Sequence, residues 1–313
     1  MKKKTGMNSP FDKLRINDFH VSVLLKEVIE NLNVEKGKKY IDATIGGGGH
    51  SLEILERGGI VLGIDCDREA IEFTNRRWKI EGGKWKTEEE ILTLVKGNFR
   101  DIDKIAHLNN FNKVSGIIFD LGVSSYQLQT AERGFSFQKV GPLDMRMDQE
   151  LNVKAADLIK ILKKGELYEL FVKLGEESSA WKFSSSIVRA RGIKPIETTQ
   201  DLARILERSV HRGKSKIHRA TKVFQALRIA VNDELNSLKE ALPKALDLLD
   251  KNGRLLVISF HSLEDRIVKN LFLEFESKGK GKIITKKPII PSLLEIEKNR
   301  RARSAKLRVF ERN

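Results

Sequence analysis

The sequence predicts an α/β fold built on a doubly wound, mainly parallel sheet, and three observations lead there. Short runs at residues 39–45, 60–65, 92–95 and 114–121 are apolar throughout rather than alternating, as strands covered on both faces are. Helical patterns at 51–57 and 67–79 fall between them, and alternation of strand and helix builds a parallel sheet. The next strong strand pattern, 253–260, comes only after a long stretch of helical spacing.

Each element has a local reason. Asp67 opens the second helix as an N-cap, because its side chain can accept from the first free N–H groups. Apolar spacing of three and four predicts helices over 155–162, 166–174, 178–190 and 198–210. One long helix or two then cover 221–250, with Pro243 in the first turn of the second. A parallel crossover needs a single helix, so several helices in a row imply an inserted all-helical subdomain. Its predicted bounds are 142–218, between Gly141-Pro142 and the polar stretch Arg212-Gly213-Lys214-Ser215-Lys216. Residues 1–141 and 219–313 are then the two parts of the sheet domain.

A chain of 313 residues, 40% apolar and 32% charged, has material for a sizeable core and is not a disordered chain. Cys66 is the single cysteine, which excludes an internal disulfide and a cysteine-based zinc site. His20 and His50 have no metal-ligand spacing with other candidates, so no metal is expected. No apolar run reaches the ~18 residues of a membrane span. The basic N-terminus has no apolar stretch behind it, so it is not read as a signal peptide, and a cytoplasmic location is expected.

The net charge of +15 is concentrated. Residues 182–222 carry 11 basic against 3 acidic side chains, and 276–313 carry 12 against 4. Affinity for phosphate grows with the number of cationic contacts, so this pattern points to a nucleic acid.

The sharpest motif is Asp42-Ala43-Thr44-Ile45-Gly46-Gly47-Gly48-Gly49-His50-Ser51, which follows a strand and opens a helix. Glycines there let the backbone turn tightly and approach a ligand, whose carboxylate or phosphate can meet the helix N-terminus. A dinucleotide fingerprint needs a third glycine where Ser51 stands. Asp65, ending the second strand, is placed to accept from ribose hydroxyls. A nucleoside without a pyrophosphate fits best, and S-adenosylmethionine is the common one. Phe99 follows the third strand and is placed to lie against an adenine. Asp120 ends the fourth; an acid there is costly if buried without a partner, so it is expected to face a ligand. His261 and Ser262 end the fifth strand on the same edge.

These segments resemble the MraW/RsmH family. The resemblance rests on residues 42–51, Asp120-Leu121-Gly122-Val123-Ser124-Ser125, Asp144-Met145-Arg146-Met147-Asp148, Phe224-Gln225-Ala226-Leu227-Arg228-Ile229, Val231-Asn232-Asp233-Glu234-Leu235 and Ser259-Phe260-His261-Ser262-Leu263-Glu264-Asp265-Arg266. Phe19-His20-Val21-Ser22-Val23-Leu24 and Ala302-Arg303-Ser304-Ala305-Lys306-Leu307-Arg308 extend it to both ends. Tyr126, Arg219 and Arg300 stand where that family usually has proline, and 78–90 is longer than usual. The resemblance implies a class I (Rossmann-like) methyltransferase sheet with a helical insertion. It further implies S-adenosylmethionine-dependent methylation of N4 of one cytidine in the decoding centre of 16S rRNA. Cofactor contacts are then expected from Gly48, Gly49, His50, Asp65, Phe99, Asp120 and Gln127. The partner is 16S rRNA or the small ribosomal subunit; a homo-oligomer is compatible, and no membrane is involved.

The chemistry asks for little acid–base help. The cytosine N4 lone pair is delocalised into the ring, so alignment of nitrogen, methyl and sulfur supplies much of the acceleration. Asp120 is the candidate to accept a hydrogen bond from the N4 amine or the cofactor. The resemblance places residues 144–148 beside the base, where Arg146 meets RNA phosphate or pairs with Asp144 and Asp148. His261 and Ser262 are further candidate substrate contacts. N4 lies on the base-pairing edge, so the target is single-stranded or looped. Rival readings are a nicotinamide-dependent oxidoreductase, disfavoured by Ser51, and a non-catalytic RNA-binding assembly factor that retains a nucleoside pocket. A DNA amino-methyltransferase would show Pro-Pro-aromatic where Leu121-Gly122-Val123 stands.

Overall fold

The structure is a computed structural model in which residues 22–80, 91–210 and 218–313 are described. Phe19-His20-Val21, residues 81–90 and the basic stretch 212–216 lie outside the described residues.

The chain divides into two compact units, Met1–Gly122 with Asn236–Asn313, and Val123–Leu235. The first runs α1 (Leu25–Leu32), β1 (Lys39–Asp42), α2 (Gly49–Glu56), β2 (Ile60–Asp65), α3 (Arg68–Ile80), β3 (Leu92–Lys96), α4 (Ile102–Leu108) and β4 (Val114–Asp120). The second contains α5 (Ser125–Gln129), α6 (Ala155–Ile161), α7 (Lys164–Gly175), α8 (Ala180–Arg191), α9 (Thr199–Arg208) and α10 (Ala220–Asn232). The first unit resumes at Asn236, within α11 (Glu234–Leu248), and continues with β5 (Leu249–Ser259), α12 (Ser262–Ser277), β6 (Gly281–Ile283), α13 (Leu293–Lys298) and β7 (Lys306–Arg312).

The seven strands form one sheet in the order β3-β2-β1-β4-β5-β7-β6. β1 to β5 pair in parallel, and β7 runs antiparallel to both β5 and β6. Successive side chains of a strand point to opposite faces, and both faces here are apolar. Ile41, Leu62, Ile64, Ile117, Phe119, Leu255 and Val257 pack with Ile102, Leu242 and Phe272 on one side. Tyr40, Val61, Ile118, Leu256 and Ile258 pack with Val28, Ile29, Leu52 and Ile54 on the other. The order turns back at β1, and the crevice beyond the carboxyl ends of β1 and β4 is where such sheets take ligands. β6 and β7 have no counterpart in the sequence reading: β6 is a three-residue edge strand, and β7, which lies inside the sheet between β5 and β6, mixes apolar with charged residues.

The second unit is helical and has its own core, with Phe171, Phe183, Leu202 and Leu227 fully or almost fully buried. It contains the whole of 142–218, and residues flanking that segment, such as Phe135 and Val223, pack into the same core. α7 and α10 approach closely: a Cβ at Gly175 would stand 2.7 Å from the Lys222 carbonyl oxygen. The predicted helical region 221–250 is broken, though not at Pro243. Asp233 takes a left-handed conformation with φ 50° and ends α10, while Pro243 lies inside α11. The burial of Leu238, Ala241, Leu242, Ala245 and Leu246 in one core face holds α11 continuous past the missing N–H.

Candidate functional site

The turn from β1 into α2 is pinned by hydrogen bonds. Asp42, buried at the tip of β1, accepts from the Ser51 hydroxyl at 2.7 Å and from the Thr44 N–H at 3.3 Å. Ser51, where a dinucleotide site would have glycine, thus ties both ends of the loop together. Gly46 and Gly48 have φ of 49° and 76°, a region that favours glycine. The Gly46 N–H donates to Asp65 Oδ2 at 2.9 Å, and its carbonyl accepts from the Thr74 hydroxyl at 2.9 Å. A Cβ at Gly49 would collide with the Ser22 hydroxyl. The first-turn N–H groups of α2 have no intrahelical acceptor and can meet an anion.

Asp65 also accepts from the Asp67 N–H at 2.9 Å, and Asp67 Oδ1 accepts from the Glu69 N–H at the start of α3, the predicted capping role. Burial pushes both Asp42 and Asp65 up to about 6; for Asp65 the charges of Asp67 and Asp42 add to the effect.

At the tip of β4, the Asp120 N–H donates to the Thr44 hydroxyl at 2.6 Å. Asp120 Oδ2 lies 3.8 Å from His50 Nδ1, and Oδ1 is buried with no hydrogen-bond partner among the described residues. His50 Nε2 is 3.0 Å from the Val23 carbonyl. A carbonyl only accepts, so Nε2 carries the hydrogen and Nδ1 is bare in the neutral ring. Burial lowers His50 to about 4, so the ring is neutral and lends Asp120 no positive charge. Burial, with the charges of Asp42 and Glu264, pushes Asp120 up to about 8.

Phe99 opens a short 3-10 turn after β3, and its ring meets Phe119 edge-on at 5.6 Å. His261 N-caps α12: its Nδ1 accepts from the Glu264 N–H at 3.4 Å, and its Nε2 lies 3.1 Å from Glu264 Oε1. Ser262 is exposed at the first position of α12. Glu264 is the buried residue that the sequence reading passed over. Its signal was the three-residue spacing of a capping box, obscured because histidine stands where Ser or Thr usually does.

The remaining candidates belong to the second unit. Gln127 is buried and caps α5, its Oε1 accepting from the Ser124 N–H at 2.9 Å. Arg146 grips Asp144 with two hydrogen bonds of 2.8 Å and donates to the carbonyls of Gln149 and Leu151. The same loop holds Met145 at φ 64°, clamped by Asn232, which donates to the Met145 carbonyl and accepts from the Met147 N–H. Among the described residues no group of three or more His, Cys, Asp or Glu could hold a metal ion. No helix among them is long and apolar enough to cross a membrane.

The donor set fits S-adenosylmethionine. Asp65 offers acceptor oxygens, the start of α2 offers N–H groups, and the Asp120 oxygen without a partner among the described residues, in a cluster of buried acids, suits a cation or a hydrogen-bond donor. A sheet of this order with acid-tipped β1, β2 and β4 around a glycine turn defines a class I S-adenosylmethionine-dependent methyltransferase. The model of the MraW methylase family matches residues 17–313, and the chain belongs to that family. Proteins named ribosomal RNA small subunit methyltransferase H are similar to it in sequence. Those of Carboxydothermus hydrogenoformans and Persephonella marina are 45% and 46% identical, covering 94% of this chain and 97% and 99% of theirs. That of Fusobacterium nucleatum is 43% identical over 95% of this chain and 98% of its own.

Proposed function

We propose that this protein methylates ribosomal RNA of the small subunit, at N4 of one cytidine in the decoding centre. The name shared by its relatives supports the RNA, and the basic concentrations at 182–222 and 276–313 suit a phosphate backbone. The observation that carries the chemistry is Asp120, a carboxylate with an unpartnered oxygen beside a neutral histidine.

Gly48 and Gly49 shape the cofactor turn, His50 lines it, Asp65 takes the ribose hydroxyls, Phe99 lies against the adenine, and Gln127 and Asp120 complete the set. When bound, S-adenosylmethionine supplies a sulfonium methyl group that N4 takes as sulfur keeps the C–S electron pair. In its deprotonated form Asp120 accepts a hydrogen bond from the N4 amine and receives the proton that nitrogen releases, so turnover rises as pH climbs toward about 8. His50, the ring beside it, is neutral and does not compete for its charge. Asp144, Arg146, His261 and Ser262 are proposed on the RNA side, with Arg146 bracing the loop through Asp144 and His261 shaping the start of α12. The target is unpaired, since a paired N4 is not accessible.

The test is methyl transfer from labelled S-adenosylmethionine to small subunits lacking the modification, followed by mass mapping of the nucleotide. Label at one cytidine N4 is expected. Label on a ring carbon, on another base, or none at all would overturn this assignment.

A further inference from the structure

Ser292-Leu293-Leu294-Glu295, at the start of α13, has the spacing of a capping box. Half of the box forms, with the Ser292 hydroxyl accepting from the Glu295 N–H at 3.2 Å. The Glu295 side chain does not fold back on its own helix but reaches Leu24, whose N–H donates to Oε1 at 2.7 Å. Leu24 is fully buried and has a φ of 53°, a left-handed conformation that leucine rarely takes. Such a residue persists only where its surroundings fix it. The core it shares with Val28 and Leu52 holds the side chain, and Glu295 holds the N–H.

The two residues before Leu24 lie against the glycine turn. The Val23 carbonyl is 3.0 Å from His50 Nε2, and the Ser22 hydroxyl fills the space that a Cβ at Gly49 would need. With its hydrogen directed at Val23, the His50 ring turns its other nitrogen toward Asp120 Oδ2 at 3.8 Å. Residues 22–24 thus join α13, in the basic C-terminal region, to the first turn of α2. A buried N–H has no water to fall back on, so the loss of Glu295 would leave this segment without its anchor.

We propose that Glu295 is a positioning residue for His50: its bond to the Leu24 N–H holds the Val23 carbonyl on the ring beside the glycine turn. Its effect on S-adenosylmethionine rests on the proposed place of Gly48, Gly49 and His50 in binding that cofactor. What the position requires is an acceptor at the reach of a glutamate side chain. Charge is not required, because a glutamine carbonyl oxygen accepts the same bond.

The test follows the His50 Nε2 proton in the full chain carrying nitrogen-15 histidine, its signal being identified by its loss in His50→Gln. In Glu295→Ala this proton should exchange with water about tenfold faster. The Ile117 and Ile118 amides, in the buried centre of the sheet, should keep their wild-type protection. S-adenosylmethionine should bind about three- to tenfold more weakly in calorimetry. Glu295→Gln should restore both properties. A wild-type exchange rate in Glu295→Ala overturns the proposal, and so does a glutamine variant that behaves as the alanine variant does. Should Glu295→Ala not fold, Glu295→Asp decides: it keeps the charge but is one methylene short, so exchange must quicken, and a wild-type rate overturns the proposal. Faster exchange with unchanged S-adenosylmethionine affinity would uphold the grip of Glu295 on the ring and strike instead at the proposed place of His50 in cofactor binding.

Discussion

Asp120 Oδ2 stands 3.8 Å from a nitrogen of His50 that carries no hydrogen. The Val23 carbonyl fixes this by taking the hydrogen at the far side of the ring. The pair is therefore not an ion pair at neutral pH, and the Asp120 carboxyl group is left to a ligand.

Asp120→Asn preserves the shape of the β4 tip and removes its basicity. Turnover should drop by roughly 10²- to 10⁴-fold, the range for loss of a positioned general base, with far less change in cofactor affinity. Single-turnover methyl transfer and equilibrium binding separate the two. Full turnover in the variant would exclude Asp120 as proton acceptor.

Stability should depend on pH in a defined direction. Asp120 rises from an ordinary 3.8 to about 8, so between those values the folded protein holds a proton that the unfolded chain has lost. The unfolded state binds fewer protons there, so stability declines as pH climbs from about 4 to 8 and then levels off. Asp42 and Asp65, raised to about 6, steepen the lower half of that window. Thermal melts of ligand-free protein should show the decline, and Asp120→Asn should flatten it between about 6 and 8.

Ser51→Ala removes the hydroxyl that donates to buried Asp42. Leaving that carboxylate oxygen unpaired should cost about 1–3 kcal/mol in chemical denaturation and weaken cofactor binding through the loosened glycine turn. A variant as stable as wild type would show that the bond to Asp42 contributes nothing.

RNA affinity should fall steeply with added salt, because each phosphate contact releases counterions. Lys182 and Arg189 are exposed on α8. If both contact phosphate, replacing them with glutamine should reduce the slope of log K against log salt by about two. Filter binding at several salt concentrations measures it, and an unchanged slope would move the RNA path away from α8.

Much of the site could be read from the chain. The glycine turn, Asp65 and Asp120 stand out because each follows a short apolar run, and in a parallel sheet such run ends share one edge. Glu264 could not be read this way. It lies within an amphipathic helix, and its burial depends on how α12 meets the end of β5. Pro243 misled for a related reason: local propensity favours a helix start, but five core contacts carried α11 through it. The left-handed Asp233 that actually divides the helices has only a weak local signature, since Asp tolerates that conformation without requiring it.

By itself the sequence determined the alternation of strands and helices, the acids at the strand tips, the helical character of the second unit and the placement of charge. Those properties follow from local periodicity and residue type, which need no distant contact. Only the tertiary structure decided which tautomer His50 holds, that Asp120 Oδ1 lies buried with no hydrogen-bond partner among the described residues, and that Glu264 is buried against the end of β5. Each of these depends on groups far apart in the chain meeting out of water, where a missing partner or an added charge is no longer screened.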